Sequence, residues 1–233
     1  MDDGAKDIDA SLRLLSMMKE QGITDVIATP HFDANSDNLD DYLLKIHDAK
    51  NLLTAASKGL DLPTFYLGSE VYYFQGIGKS AGIRALSLCG SSYLLLELPI
   101  HTIDEKMIND ILDLRETLGI IPIIAHVERL YGERGFKKLC NLFANGSAHA
   151  QVNAASVLKG SYRKITRKLI KSGLITFIAT DAHSPDGRPP VMDQAMKQIT
   201  TDFGIQRKKM FIANSDKLYQ KIVGNPEPPE VSL

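Results

Sequence analysis

Short apolar runs rich in β-branched residues alternate with longer stretches of helical period along this 233-residue chain. That alternation restricts the fold to βα units around a parallel sheet. The strand runs are Val26–Thr29, Phe65–Leu67, Ser92–Leu98, Pro122–Ala125, Ala150–Asn153 and Leu174–Thr180. Between them, helical spacing of apolar residues predicts helices over Asp9–Gln21 and Leu39–Ala56 and from a capping box at Thr102–Glu105 to about Leu118. Further helices are predicted over Phe136–Asn145, from a Ser161 cap to Gly173, and from beyond Pro189-Pro190 through Phe203 to about Val223. No linker or low-complexity segment interrupts this order, so residues 1–224 read as one domain and 225–233, with three prolines, as a loose tail. Six such strands are nearly enough for a closed β/α barrel, in which chemistry sits at the C-terminal strand ends.

Those ends carry His31, Glu70, Glu97, His126, Asn153 and the pair Asp181 and His183. Asp, Glu and His are 34 of 233 residues, so five of six ends bearing one is far above chance. Imidazoles and carboxylates converging on one rim are the donor set of divalent metals. Glu97 is the most telling, because it closes the apolar run Tyr93-Leu-Leu-Leu, where a buried carboxylate is costly unless a cation or strong donor offsets it. Asp181 and His183 stand two apart and point to the same side of an extended backbone. Singly, each has a plainer reading: Glu97 tipping into solvent, Asp181 capping a helix, His126 or His31 as a satisfied core histidine. His47, His101 and His149 read as solvated.

Arg129 and Arg188 flank this cluster, the latter in Asp-Gly-Arg-Pro-Pro, where glycine permits a tight turn and the prolines fix its exit. Guanidinium binds phosphate through paired hydrogen bonds, so two arginines beside a metal cluster point to a phosphoester. A cysteine phosphatase needs an arginine six positions after its thiolate, but Leu95 and Gly146 occupy those places after Cys89 and Cys140. Neither a Walker glycine loop nor a G-x-S-x-G elbow is present. A net charge of −1 gives no basic field for nucleic acid. The apolar runs fall far short of the roughly 18 residues of a membrane span, and the acidic start Met-Asp-Asp-Gly is no signal peptide. Two distant cysteines fit a reducing, cytoplasmic compartment.

Taken in order, Ala-Thr-Pro-His31, Gly-Ser-Glu70-Val-Tyr-Tyr, Leu-Leu-Glu97-Leu, Ile-Ala-His126-Val-Glu-Arg129, Gln-Val-Asn153 and Thr-Asp181-Ala-His183-Ser-Pro-Asp-Gly-Arg188-Pro-Pro resemble the polymerase-and-histidinol-phosphatase (PHP) superfamily. Within it they are most similar to the manganese-dependent tyrosine phosphatases of bacterial capsule and exopolysaccharide operons. The resemblance implies an α/β fold, a distorted TIM-like (β/α)7 barrel, with two or three divalent metals on its rim, Mn2+ first and Fe or Zn as alternatives. It implies His31, Glu70, Glu97, His126, Asp181 and His183 as metal ligands. Arg129 and Arg188 would be catalytic and would bind substrate, with Asn153 beside them as a further substrate-binding side chain. The implied substrate is phosphotyrosine on the bacterial tyrosine kinase that regulates polysaccharide synthesis. Hydrolysis would proceed through metal-activated water, without a covalent enzyme intermediate.

The sequence departs from this family at one point. Members carry a His-x-His strand shortly before Asp-Asp-Gly, whereas here Met1 directly precedes Asp2-Asp3-Gly4. A start placed too late is the favoured expectation over true truncation, because the downstream motifs are intact. A barrel without that strand would expose two neighbouring edges. Two other readings stay open: a small-molecule phosphoesterase of the histidinol-phosphatase kind, and a non-catalytic remnant that binds a partner. The oligomeric state, a homo-oligomer included, is left open.

Overall fold

The structure is a computed structural model, and it describes residues 4–158 and 160–223. Asp2, Asp3 and the predicted tail over 225–233 lie outside the described residues. In chain order the elements are α1 (Ile8–Glu20), β1 (Asp25–Ala28), β2 (His31–Phe32), α2 (Leu39–Ala56), β3 (Thr64–Leu67), β4 (Glu70–Tyr72), β5 (Tyr93–Glu97), α3 (Glu105–Glu116), β6 (Ile121–Ile124), α4 (Phe136–Ala144), β7 (His149–Asn153), α5 (Ala154–Leu158), α6 (Arg163–Ser172), β8 (Phe177–Ala179), α7 (Met192–Phe203) and α8 (Ile205–Val223).

All strand pairings among these elements are parallel, in a six-stranded sheet ordered β2-β4-β5-β6-β7-β8 and a two-stranded sheet β1-β3. The predicted α/β order is borne out. The first two predicted strands are found as β1 and β3, and beyond Pro30 and Gly68-Ser69 each is followed by a short strand, β2 and β4, that begins at His31 and Glu70; Gly68 N–H donates to Ala28 O and Glu70 N–H to Pro30 O, so pairing runs through the break. Gly68 is needed there for space: a Cβ would lie 2.6 Å from Leu88 Cδ2 and 3.1 Å from Leu88 Cα. Among the described residues no backbone pairing joins β8 to β1 or β2, the place where a barrel lacking its first strand is expected to carry two edges.

Strand alternation divides the core in two. On β5, Leu94 and Leu96 pack outward with the helices in the large cluster, while Tyr93 and Leu95 face inward with Ile123, Ala125 and Phe177. Both faces being apolar explains why β5 reads as a continuous apolar run. The C-terminal turns of α8 close the N-terminal end of the strands. There Ile222 is fully buried in the inner cluster, Tyr219 pairs with Tyr66 at 3.1 Å between hydroxyls, and Asn214 Nδ2 donates to Thr176 O.

Three local expectations need correction. The cap of α3 is Asp104, whose carboxylate accepts from Met107 N–H, and not Thr102. The residue before α6 is Tyr162, with no side-chain cap, so Ser161 does not cap that helix. His149 is not a solvated loop residue: it opens β7 on the inward face, stacked on Tyr93 at 6.2 Å and edge-on to Phe177 at 5.5 Å. His47 and His101 are exposed, as expected.

Candidate metal centre

The inward parity that buries Tyr93 and Leu95 also carries Glu97, one step beyond Leu95 at the strand's C-terminal end. Register extends this: His31 stands opposite Glu70 and Tyr72 opposite Glu97. By the same alternation Asn153 follows inward-facing Gln151 on β7, whereas Asp181 lies beyond the end of β8 in left-handed backbone (φ 50°), so the extended Asp181–His183 segment expected from the sequence is not found. Strand parity and parallel register therefore deliver the strand-borne side chains to one end of the sheet.

His31, Glu70 and Glu97 each offer a ligand atom, and the three atoms lie within 4.8 Å of one another. His126 Nε2 bridges the two carboxylates, 2.9 Å from Glu70 Oε1 and 3.3 Å from Glu97 Oε1. On the other side stands Asp181. Its Oδ2 receives hydrogen bonds from Arg188 Nη2 at 2.8 Å, Arg129 Nη2 at 3.2 Å and Asn153 Nδ2. His183 Nδ1 lies 3.0 Å from Asp181 O, the backbone contact that commonly orients a metal-binding imidazole through its other nitrogen. The His31 and His183 rings are 6.1 Å apart, and Arg129 Nη1 lies 3.7 Å from Glu97, so the two halves adjoin.

Electrostatics follow from this packing. Burial alone would raise the Glu70 carboxyl, but the hydrogen bond with His126 and the positive charge of His126, His31 and Arg129 outweigh it and hold it below the ordinary value. A carboxylate kept ionised while buried, with a second carboxylate and an imidazole in reach, is a donor set that fits a divalent cation. The backbone carries strain at the same place. His126 (φ 32°) and Asp181 (φ 50°) are left-handed, which costs of order 1–3 kcal/mol and persists where surrounding contacts over-determine it. The Arg188 loop is rigid: His183 N–H donates to Arg188 O, Arg188 N–H to Ser184 O, and Gly187 N–H to Ser184 Oγ.

Two neighbours had no role in the sequence reading. Glu128 is buried in the turn after β6; its Oε1 accepts from Asn153 N–H at 3.0 Å, and burial raises its carboxyl above the ordinary value. Its position in a short helical turn gave no periodic signal. Tyr72 is half-buried, its hydroxyl raised by burial and by the charges of Glu97 and Asp33, and parity with Glu70 could have found it. With His31, Phe32, Asp33 and Glu97 it lines a recess of about 200 Å³.

The chain is similar to several known proteins. CapC of Staphylococcus aureus is 35% identical over 204 residues, covering 83% of this chain and 77% of CapC. The tyrosine-protein phosphatase CpsB of Streptococcus pneumoniae is 28% identical over 233 residues, covering 94% and 93%. A chain from the crystal structures of YwqE from Bacillus subtilis and CpsB from Streptococcus pneumoniae, described as unique metal-dependent tyrosine phosphatases, superposes with a TM-score of 0.82 at 25% identity, covering 99% of this chain and 95% of that one. The family model for capsular polysaccharide synthesis, CpsB/CapC, matches residues 1–220, and the chain belongs to that family.

Proposed function

We propose that this protein is a divalent-metal-dependent phosphatase that hydrolyses phosphotyrosine on a bacterial tyrosine kinase governing capsular or exopolysaccharide synthesis. The observation that carries the reading is the meeting of His31, Glu70 and Glu97 within 4.8 Å, beside two arginines gathered on Asp181. The activity named for its relatives supports the substrate class.

His31, Glu70, Glu97 and His126 would hold metal on one side, and Asp181 with His183 on the other. Three carboxylates with three imidazoles are compatible with Mn2+, with Fe or Zn as competitors. When bound, such ions supply Lewis acidity and lower the pKa of a coordinated water. The protein's own groups do the rest. Arg129 and Arg188 exchange their bonds to Asp181 for bonds to non-bridging phosphoryl oxygens, and so offset charge that grows in the transition state. Asn153 stays on Asp181 and keeps that carboxylate in place while the guanidiniums turn to substrate. The recess beside Glu97 seats the aryl ring: about 200 Å³ is ample, since a cavity of about 150 Å³ holds benzene. A tyrosine leaving group, with a pKa of about 10, needs little help from a general acid.

No helix of the described residues is long and apolar enough to cross a membrane. We assign the protein to the cytoplasm, where the kinase substrate would present its phosphotyrosines; Cys89 and Cys140, neither in a disulfide, suit that compartment. The deciding experiment measures phosphotyrosine-peptide hydrolysis with Mn2+. Chelator should abolish it and alkylation of both cysteines should not; the reverse pattern would overturn the metal mechanism.

A further inference from the structure

A second recess, of about 240 Å³, adjoins the first and shares one wall with it, Phe32. Its floor is apolar: Ile83 and Leu86 are almost fully buried, and Leu39 and Phe74 complete the sides. The shared wall is fixed, because Phe32 packs edge-on against Tyr42 at 5.1 Å, and the Tyr42 hydroxyl donates to Pro30 O at 2.8 Å. Gly82 keeps the recess open. A Cβ there would sit 2.6 Å from Leu39 Cδ2, so the space depends on a missing side chain. The polar residues at its edge include Asp37, and no basic residue lines it.

We infer that this recess is a peptide subsite, which takes an apolar side chain two residues from the phosphotyrosine and disfavours an acidic one. The inference rests on the phosphatase reading for the ring's position and adds a sequence preference to it. Continuity carries the argument: a ring seated between Tyr72 and Glu97 lies against one side of Phe32, and residues two apart in an extended peptide share a face at a spacing of about 6.5–7 Å, so the side chain two positions away reaches the other side. Asp37 at the edge repels a carboxylate and leaves the apolar floor as the favourable contact.

The test measures binding, so that it stands apart from turnover. Peptides carrying non-hydrolysable phosphonomethylphenylalanine, with Leu, Gly or Asp two residues away on both sides and glycine next to it, are titrated against the full chain with Mn2+ present. The Leu peptide should bind about tenfold tighter than the Gly peptide, as expected for partial burial of a leucine, and the Asp peptide weakest. In Gly82→Val the Leu advantage should shrink to less than about twofold. Equal affinity for the three peptides, no binding by any of them, or an undiminished Leu preference in Gly82→Val would overturn the subsite. Should Gly82→Val not fold, the milder Gly82→Ala, where only the end of the flexible Leu39 must shift, is read by the same criterion. Failure of the phosphatase reading shows separately, as absent hydrolysis of phosphotyrosine itself.

Discussion

Arg129 and Arg188 donate to the same oxygen, Asp181 Oδ2, at 3.2 and 2.8 Å, from a turn after β6 and a loop after β8. Two guanidiniums on one carboxylate oxygen form a dianion-sized receptor already gathered around a negative charge. In the proposed reaction Asp181 would keep both arginines together before phosphate arrives. The left-handed backbone at Asp181 is what turns its carboxylate toward them.

Replacing either arginine by alanine should therefore lower kcat/KM on phosphotyrosine peptides by about 100-fold, since each removes a charged donor aimed at the phosphoryl group. The double variant should lose less than the product of the two singles, because both act on one group. Lysine at either position should recover little, lacking the planar fork. Steady-state kinetics check this, and single variants with wild-type kcat/KM would remove these residues from the site.

Metal should stabilise the fold. Mn2+ at about 100 times its Kd contributes about 2.7 kcal/mol, which for a domain of this size raises Tm by roughly 5–10 °C. Glu97→Gln should abolish most of that rise, because it removes an anionic oxygen from the His31–Glu70–Glu97 group. Thermal melts with and without Mn2+, for both proteins, decide the matter.

Glu128 should be a positioning residue. Its Oε1 accepts from the Asn153 backbone N–H, and Asn153 in turn holds Asp181. Glu128→Ala leaves a buried N–H without its acceptor, costing about 1–3 kcal/mol. It should also lower kcat more than it changes KM. Glu128→Gln keeps an oxygen acceptor and relieves a buried charge, so urea midpoints should stay near wild type and kcat should largely recover.

His149 should make stability fall in mild acid. Burial, with Lys221 and Arg115 nearby, lowers its folded pKa below the ordinary value. The unfolded chain, near pKa 6.5, therefore takes up the proton first. The contribution is whole above about pH 6.5 and is lost as pH falls through the folded pKa. Urea midpoints between pH 8 and 5 should drop for wild type and drop less for His149→Phe, which keeps the ring stacked between Tyr93 and Phe177.

Much of the architecture was legible locally. The boundaries of α2 match the predicted ones, and the other long helices agree to within a few residues, because apolar spacing and turn residues act within a few positions. The inward parity of Glu97 was legible in the same way, since alternation along β5 is fixed by the strand itself. Helix caps were less so: Thr102 and Asp104 are both competent acceptors, and only backbone direction at the helix entry selects Asp104.

By itself, then, the amino-acid order determined which residues stand at strand ends and that the strands run parallel, because both follow from short-range periodicity. Tertiary structure alone decided what those residues meet. Asp181 drawing in Arg129 from 52 positions away, Glu128 set behind Asn153 and His149 plugging the far end all depend on contacts between segments far apart in sequence. Such contacts are chosen by packing and by the pairing of buried charge, and neither leaves a periodic trace along the chain.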